Sequence, residues 1–296
     1  MVDGVLVIDK PIGPTSHDVV ATARRILRAK RVGHTGTLDP NASGVLPLVL
    51  GRATRLAQFL TSDDKEYIAT IRFGVVTDSY DSRGRMVSES GQMPDRAAIE
   101  AALDRFRGEF DQMPPTYSAK NIDGERAYVL ARRAKPVTLS TARVATRALE
   151  LLRVERPHAE VRIVCSAGFY VRSLAHDLGE AVGTGAILDG LVRTRSGAFS
   201  LTAALPFGDL ASGAHDRINA AIVPMAAALP HLPGIVLTAE GARRVTHGLD
   251  IRPQDASSVP FPDAPLLRLI SPEGALVGVA KPSKMPGFLH PTVVMK

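Results

Sequence analysis

Apolar positions along the chain fall into short runs whose spacing changes from one segment to the next. The first, "GVLVIDKP", is continuous and ends in a proline, which predicts a short buried strand stopping at Pro11. In "PTSHDVVATARRILRA" the residues Val19, Val20, Ala23, Ile26 and Leu27 repeat at helical spacing. Thr15 or Ser16 can cap that helix, Asp18 suits its positive end, and Arg24, Arg25 and Arg28 lie mostly off the apolar stripe. The stretch "RVGHTGTLDPNASGVLPLVLG", residues 31–51, reads as a loop leading into an apolar run, and "RATRLAQFL" as another short helix.

From Tyr67 the pattern becomes an alternation: Tyr67, Ala69, Ile71 and Phe73 against Ile68, Thr70, Arg72 and Gly74, the signature of a strand. Residues 95–107 carry a helical pattern. The polar, basic, proline-broken segment near 113–136 reads as a loop excursion of the kind that carries function. Residues 143–154 and 159–165 predict a hairpin around "RPHA", its second strand continuing through "GFYVRS" into the helix "LAHDLGEAVG". The last 66 residues hold nine of the 21 prolines, and runs such as "PLLRLI" and "ALVGVA" predict a small β-barrel or sandwich there. Two domains are expected, 1–230 and 231–296, with the excursion inside the first.

Composition narrows the class. With 45% hydrophobic and 22% charged residues the chain reads as a soluble globular protein, and no run approaches the ~18 apolar residues of a membrane span. "MVDGVLVIDKP" lacks the marks of a secretory signal, so the expected location is cytoplasmic and no membrane contact is expected. The single Cys165 excludes an internal disulfide and a cysteine-built zinc site. Lys and Arg outnumber Asp and Glu by 36 to 30, which favours a polyanionic partner. The excess is clustered. "RRILRAKR", residues 24–31, has five basic residues and no acid; Arg126, Arg132, Arg133 and Lys135 form a second group, and Arg193 with Arg195 a third. Each could be a solvated face; together they point to phosphate contacts.

Several chemistries are absent from the sequence. "GHTGTLD" has no Lys-Ser or Lys-Thr after its second glycine, no GxGxxG follows a strand, no HExxH pair occurs among eight scattered histidines, and there is no GxSxG elbow. An enzyme of this sequence is expected to use no metal, nucleotide or redox cofactor. Asp39 in "LDP" is either the start of a turn or a functional carboxylate. Gly33 and Gly36 would admit a close backbone approach, and His34 stands five residues before Asp39. Tyr67 and Tyr170 are either half-buried strand residues or faces on which a base could stack. If "FYVRS" is extended, Tyr170 and Arg172 point the same way.

The blocks "GVLVIDKPIGPTSHDVV", "RVGHTGTLDPNASGVLPLVLGRATR", "KEYIATIRFGVVTDSYDSRG", "PPTYSAKNIDGERAYVLAR" and "CSAGFYVRSLAHDLGEAVG", in that order across residues 4–183, resemble the TruB family of tRNA pseudouridine synthases. The C-terminal piece resembles the small RNA-binding PUA domain. The resemblance implies an α+β pseudouridine synthase fold: a large mixed, mainly antiparallel sheet flanked by helices and loops, followed by a small all-β PUA-like domain. It implies an isomerase that breaks the N-glycosidic bond of the T-loop uridine, position 55 of tRNA, turns the uracil and rejoins it through carbon 5. Asp39 would be the essential aspartate. His34 would act in opening the RNA loop, Tyr67 would lie against the flipped uracil, Tyr170 would hold the base, and Arg172 would pair with Asp39. Leu191 in "LDGLVRTR" matches a position that packs on the target nucleotide, and Lys10 and Asp81 fall in family blocks as further substrate-binding candidates. The implied protein is a monomer that acts on tRNA without an obligate protein partner. The alternatives are a guide-RNA-dependent synthase of the dyskerin type and a non-catalytic tRNA-binding or folding factor.

Overall fold

The computed structural model describes residues 2–116, 140–257 and 259–296, and the backbone of 121–122 and 125–126. Most of the 113–136 excursion, including the side chains of the second basic group, lies outside the described residues. The chain forms two compact units: one contains the chain up to Pro40, Gly44–Thr61 and Ala198–Lys296, and the other Asn41–Ser43 with Ser62–Gly197.

In the first unit the strand Gly4–Lys10 pairs antiparallel with Ala42–Leu50 from Gly4↔Leu50 to Lys10↔Gly44. Their near-continuous apolar sequences suit strands covered on both faces, and Leu6, Ile8, Leu46, Leu48 and Leu50 have no exposed surface. Burying each such side chain contributes about 1.5–3 kcal/mol. Val32–His34 pairs with Leu48–Leu50 at the end of Ala42–Leu50, and the short strands Leu205–Pro206 and Ile222–Val223 pair with Gly4–Lys10. The helix Ser16–Ile26 buries Ser16, Val19, Val20 and Ala23, the face its spacing predicts. Gly51 turns the chain with φ +57°, and a Cβ there would come within 2.2 Å of Asp3 Oδ1, so only glycine fits.

The same unit holds a separate four-stranded sheet in the order Gly234–Val236, Leu267–Ile270, Leu276–Pro282, Leu289–Val294. Ile235, Leu237, Val245, Ile251, Leu267, Leu269, Ala280 and Leu289 form its core. The proline-rich tail thus makes the expected β structure, with one addition. The helix Ala239–Thr246, capped by Thr238, fits in the proline-free interval between Pro233 and Pro253.

The second unit is built on a five-stranded antiparallel sheet in the order Ala186–Ser196, Lys65–Phe73, His158–Cys165, Ala142–Glu155, Gly108–Gln112. Ala69, Ile71 and Phe73 face a core completed by Ile99 and Leu103 of the helix Arg96–Leu103 and by Leu174 and Leu178 of the helix Val171–Val182. The alternation from Tyr67 therefore sets the buried face. Gly179 lets Val171–Val182 lie directly on the sheet, because a Cβ there would sit 2.1 Å from the Ala186 nitrogen. The fold is α+β with mainly antiparallel sheets and a C-terminal β region, as expected.

One expected element differs. The strand before "GFYVRS" ends at Cys165, and Arg172 belongs to the helix Val171–Val182, with Tyr170 as its N-cap. Gly168 turns the chain at φ +83°. The Tyr170 backbone is then captured by the buried Gln112 side chain, which donates to the Tyr170 carbonyl at 3.0 Å and accepts from its N–H at 2.8 Å. Alternation along a strand therefore does not relate Tyr170 to Arg172.

Candidate active site

Asp39 is half-buried and stands immediately before a turn at Pro40, so the turn is real. The backbone on each side of it is anchored. Ser16 Oγ accepts from the Leu38 N–H at 2.9 Å and donates to the Leu38 carbonyl at 3.1 Å, and Ser16 is 1% exposed. Beyond Asp39, the Pro40 carbonyl accepts from the Gly13 N–H at 2.8 Å, where Gly13 has φ +116°. The helix start explains why Ser16 is available. Thr15 takes the N-cap role, its hydroxyl accepting from the Asp18 N–H while the Asp18 carboxylate accepts from the Thr15 N–H and hydroxyl. The same Thr15 hydrogen bonds hold the Asp18 carboxyl below its ordinary range.

His34 ends the strand Val32–His34, and its Nδ1 accepts from the Gly36 N–H at 3.4 Å. Its ring meets that of His17 edge-on, with centroids 5.4 Å apart and planes at 82°. Lys10, at the end of its strand, has no exposed surface and donates from Nζ to the Pro11 carbonyl at 2.8 Å. Lys10, His34 and Asp39 thus all belong to the first unit. So does the basic segment after the first helix. Arg25, Arg28, Lys30 and Arg31 are exposed and form no ion pair among the described residues, while Arg24 donates to the Val32 carbonyl at 3.3 Å.

In the second unit the structure brings Arg172 and Asp81 together. Both are buried, and Arg172 Nη1 lies 4.0 Å from Asp81 Oδ2 and 3.4 Å from the Ser79 carbonyl to which it donates. A guanidinium in the first turn of a helix opposes the positive end of the helix dipole, and the Asp81 carboxylate offsets that. Asp81 is itself fixed in the turn "TDSYDSRG". Its Oδ1 accepts from Ser79 Oγ at 2.6 Å and from the Arg83 N–H at 3.0 Å, and its carbonyl accepts from the Thr77 hydroxyl at 2.7 Å. Ser173 Oγ donates to the Met113 carbonyl at 2.7 Å, so the helix start is held on a second side.

Tyr67 and Leu191 sit on neighbouring strands, in register with Arg193 and Ala69 respectively, and both pack half-buried on the edge of the core. Tyr67 is therefore partly the core residue that a tyrosine in a strand ordinarily is. Arg193 is not the surface charge its sequence group suggested. It is 1% exposed, because a register shift between Arg193 and Arg195 sends the two to different environments, Arg195 lying 3.8 Å from Glu66. Lys65, two residues before Tyr67 and on the same face, is also buried. Burial first, and Arg193 second, push the Lys65 ammonium below its ordinary pKa. Burial likewise pushes the Cys165 thiol up to about 12, so it is no nucleophile.

Neither Gln112 nor Lys65 stood out in the sequence, Ser16 read there only as a possible helix cap, and Arg193 read as one of a pair of phosphate-contacting cations. For Ser16 and Gln112 the partners are backbone groups 22 and 58 residues away, which leaves no local signal. Lys65 and Arg193 did have one, a basic residue at an inward-facing strand position. No group of three or more His, Cys, Asp or Glu side chains among the described residues could hold a metal ion, and no helix there is long and apolar enough to cross a membrane.

The model of the TruB family pseudouridylate synthase N-terminal domain matches residues 24–171, and that of the tRNA pseudouridylate synthase B C-terminal domain matches 172–230. The chain is 46% identical over 295 residues, 99% of its length and 100% of the relative's, to "tRNA pseudouridine synthase B" of Solibacter usitatus. It is 43% identical to the protein of that name from Dehalococcoides mccartyi over 99% of this chain and 96% of that one. Among solved structures it resembles a chain of a Cbf5-Nop10-Gar1 complex, with TM-score 0.76 and 30% identity over 99% of this chain and 85% of that one. A chain of an H/ACA RNP bound to a substrate RNA containing 2'-deoxyuridine gives TM-score 0.75 and 28% identity, covering 99% of this chain and 85% of that one.

Proposed function

The chain belongs to the TruB family of pseudouridine synthases, and from that premise we propose that it converts the T-loop uridine at position 55 of tRNA to pseudouridine, with Asp39 as the essential carboxylate. The observation that carries the assignment of Asp39 is its anchoring. A side chain whose neighbours on both sides are tied down by Ser16 and Gly13 is presented with little freedom, as a group that must meet a reacting atom has to be.

The reaction breaks the bond between the ribose and N1 of uracil, turns the base, and forms a bond from the same ribose carbon to C5, whose proton is released as N1 gains one. Atoms and electrons balance within the nucleotide, so no external donor is required. The uridine must first leave the RNA stack, at a cost of a few kcal/mol. Contact with the faces of Tyr67 and Tyr170, about 1–3 kcal/mol for each stacked base, and packing by Leu191 offset that cost. Phosphate contacts from Arg25, Arg28, Lys30 and Arg31 supply the sequence-independent part of affinity. His34 acts in opening the loop, Arg172 supplies the cation that partners the Asp39 carboxylate, Asp81 steadies Arg172, and Lys10 serves the substrate pocket.

Residues 231–296, with their own sheet and core, are assigned to a PUA-like RNA-binding domain, and the catalytic part to residues 1–230. The protein is placed in the cytoplasm as a monomer. The relatives named tRNA pseudouridine synthase B are 40–47% identical, against 28–30% for the chains of the H/ACA RNP and Cbf5 complexes, which favours a stand-alone enzyme. Purified protein alone, incubated with a tRNA transcript, is expected to form one pseudouridine in the T-loop, detected by mass shift after chemical labelling. Asp39→Asn is expected to abolish it while binding tRNA nearly as well. Product from that variant, or none from the wild type without an added guide RNA, would overturn the reading.

A further inference from the structure

Two departures from ordinary structure meet at one contact next to Arg172 and Asp81. Tyr80, the residue before Asp81, has φ +63°, a left-handed conformation that a bulky side chain rarely adopts. Its ring lies flat on that of His176, with centroids 3.9 Å apart and planes within 6°. His176 in turn buries its Nδ1 with no hydrogen-bond partner among the described residues. Each departure costs stability, and a shared location points to a role for the contact that sets them.

The place of the stack in the fold indicates that role. His176 follows Arg172 by four residues on the helix Val171–Val182, so the two share one face a turn apart. That face meets the "TDSYDSRG" turn twice: at Arg172, which reaches Ser79 and Asp81, and at His176, which covers Tyr80. The turn is tied by its backbone to Leu188, whose N–H donates to the Tyr80 carbonyl at 2.9 Å and whose carbonyl accepts from Ser82 at 3.2 Å. Among the described residues the helix is tied to the turn through the Arg172 side chain, which donates to the Ser79 carbonyl at 3.4 Å, and through no backbone hydrogen bond. At 4.0 Å the Arg172–Asp81 pair is longer than a charge-assisted hydrogen bond and does not by itself fix the separation. Two flat rings in contact do.

We propose that Tyr80 and His176 are positioning residues of the reaction: their stacked rings set the helix carrying Arg172 against the turn carrying Asp81, and so fix where the Arg172 guanidinium stands. The inference rests on the functional reading of Arg172 given above. A ring is what the role needs, and the hydroxyl is not. The left-handed backbone at Tyr80 serves to turn the ring onto the helix.

The test measures single-turnover pseudouridine formation and tRNA dissociation constants for the full chain. Tyr80→Ala and His176→Ala are each expected to slow product formation about tenfold with tRNA affinity changed less than twofold. The double variant is expected to be no slower than either one, because both remove the same contact. Tyr80→Phe, which keeps the stack, is expected to retain the wild-type rate. Should Tyr80→Ala fail to fold, Tyr80→Gly removes the ring while relieving the backbone, and it too is expected to be about tenfold slow. Full activity in Tyr80→Gly, additive losses in the double variant, or loss of rate in Tyr80→Phe equal to that in Tyr80→Ala would each overturn the proposal. Asp39→Asn and wild type run alongside: absence of product from wild type refutes the assigned reaction, whereas an active wild type with an inert Asp39→Asn leaves only the stack in question.

Discussion

Replacing Ser16 by alanine removes one oxygen atom and strips Leu38 of two partners at once. Ser16 is 1% exposed, so water does not readily replace its hydroxyl at either the Leu38 N–H or the Leu38 carbonyl. A buried polar group left unpaired costs about 1–3 kcal/mol, the N–H more than a carbonyl with a second lone pair. Alanine's better helix propensity returns about 0.5 kcal/mol. The net loss is then about 2–3 kcal/mol, and at roughly 2–4 °C per kcal/mol for chains of this size the melting temperature should fall by roughly 4–12 °C. The same change frees the backbone one residue before Asp39. Because a misplacement of about 1 Å can cost on the order of a hundredfold in rate, a loss of tenfold or more in single-turnover pseudouridine formation is expected. Thr15→Ala is the control. It removes the helix cap next door, at about 1 kcal/mol, without touching Leu38, and should leave the rate near wild type. Thermal unfolding followed by circular dichroism and rates from C5-tritiated tRNA give both quantities. If Ser16→Ala matches Thr15→Ala in rate, the clamp does not position Asp39 and the reasoning fails.

Tyr67→Phe should bind tRNA as wild type does yet form product more slowly, and equal single-turnover rates would remove any proton-transfer role for its hydroxyl. Charge reversal at Arg25 and Arg28 should weaken tRNA binding and flatten its dependence on salt, measured by filter binding from low to high ionic strength; unchanged affinity and slope would make that segment a solvated face. Asp255 is buried, and hydrogen bonds from Arg252 come first among the causes holding its carboxyl below the ordinary 3.8. A depressed folded-state value means that the stabilisation is present above about pH 4 and is lost as pH falls through the folded-state value. Asp255→Asn should therefore lower the melting temperature at pH 7, by removing the carboxylate that Arg252 and Arg244 face, and by less at pH 3; an equal drop at both would refute the charge-based account.

Patterns local in sequence decided the elements and the class of chemistry. The alternation from Tyr67 set which face of the Lys65–Phe73 strand enters the core, Thr15 and Asp18 marked where the first helix begins, and the prolines from Pro233 onward left room for a single α-helix among the described residues of the tail. The blocks around "GHTGTLDP", "KEY" and "FYVR" carried the family resemblance. What sequence could not decide were relations between distant positions. Tyr170 and Arg172 were read as strand neighbours because alternation is a local rule, whereas Gln112, 58 residues earlier, captures the Tyr170 backbone and a helix starts at Val171. Arg193 and Arg195 look alike on the page, and only a bulge against Lys65–Phe73 buries one and leaves the other beside Glu66. Asp39 remains the start of a turn. Whether a turn residue is held or loose depends on what grips it from outside, and for Asp39 the grip on Leu38 and Pro40 comes from Ser16 and Gly13, more than twenty residues earlier.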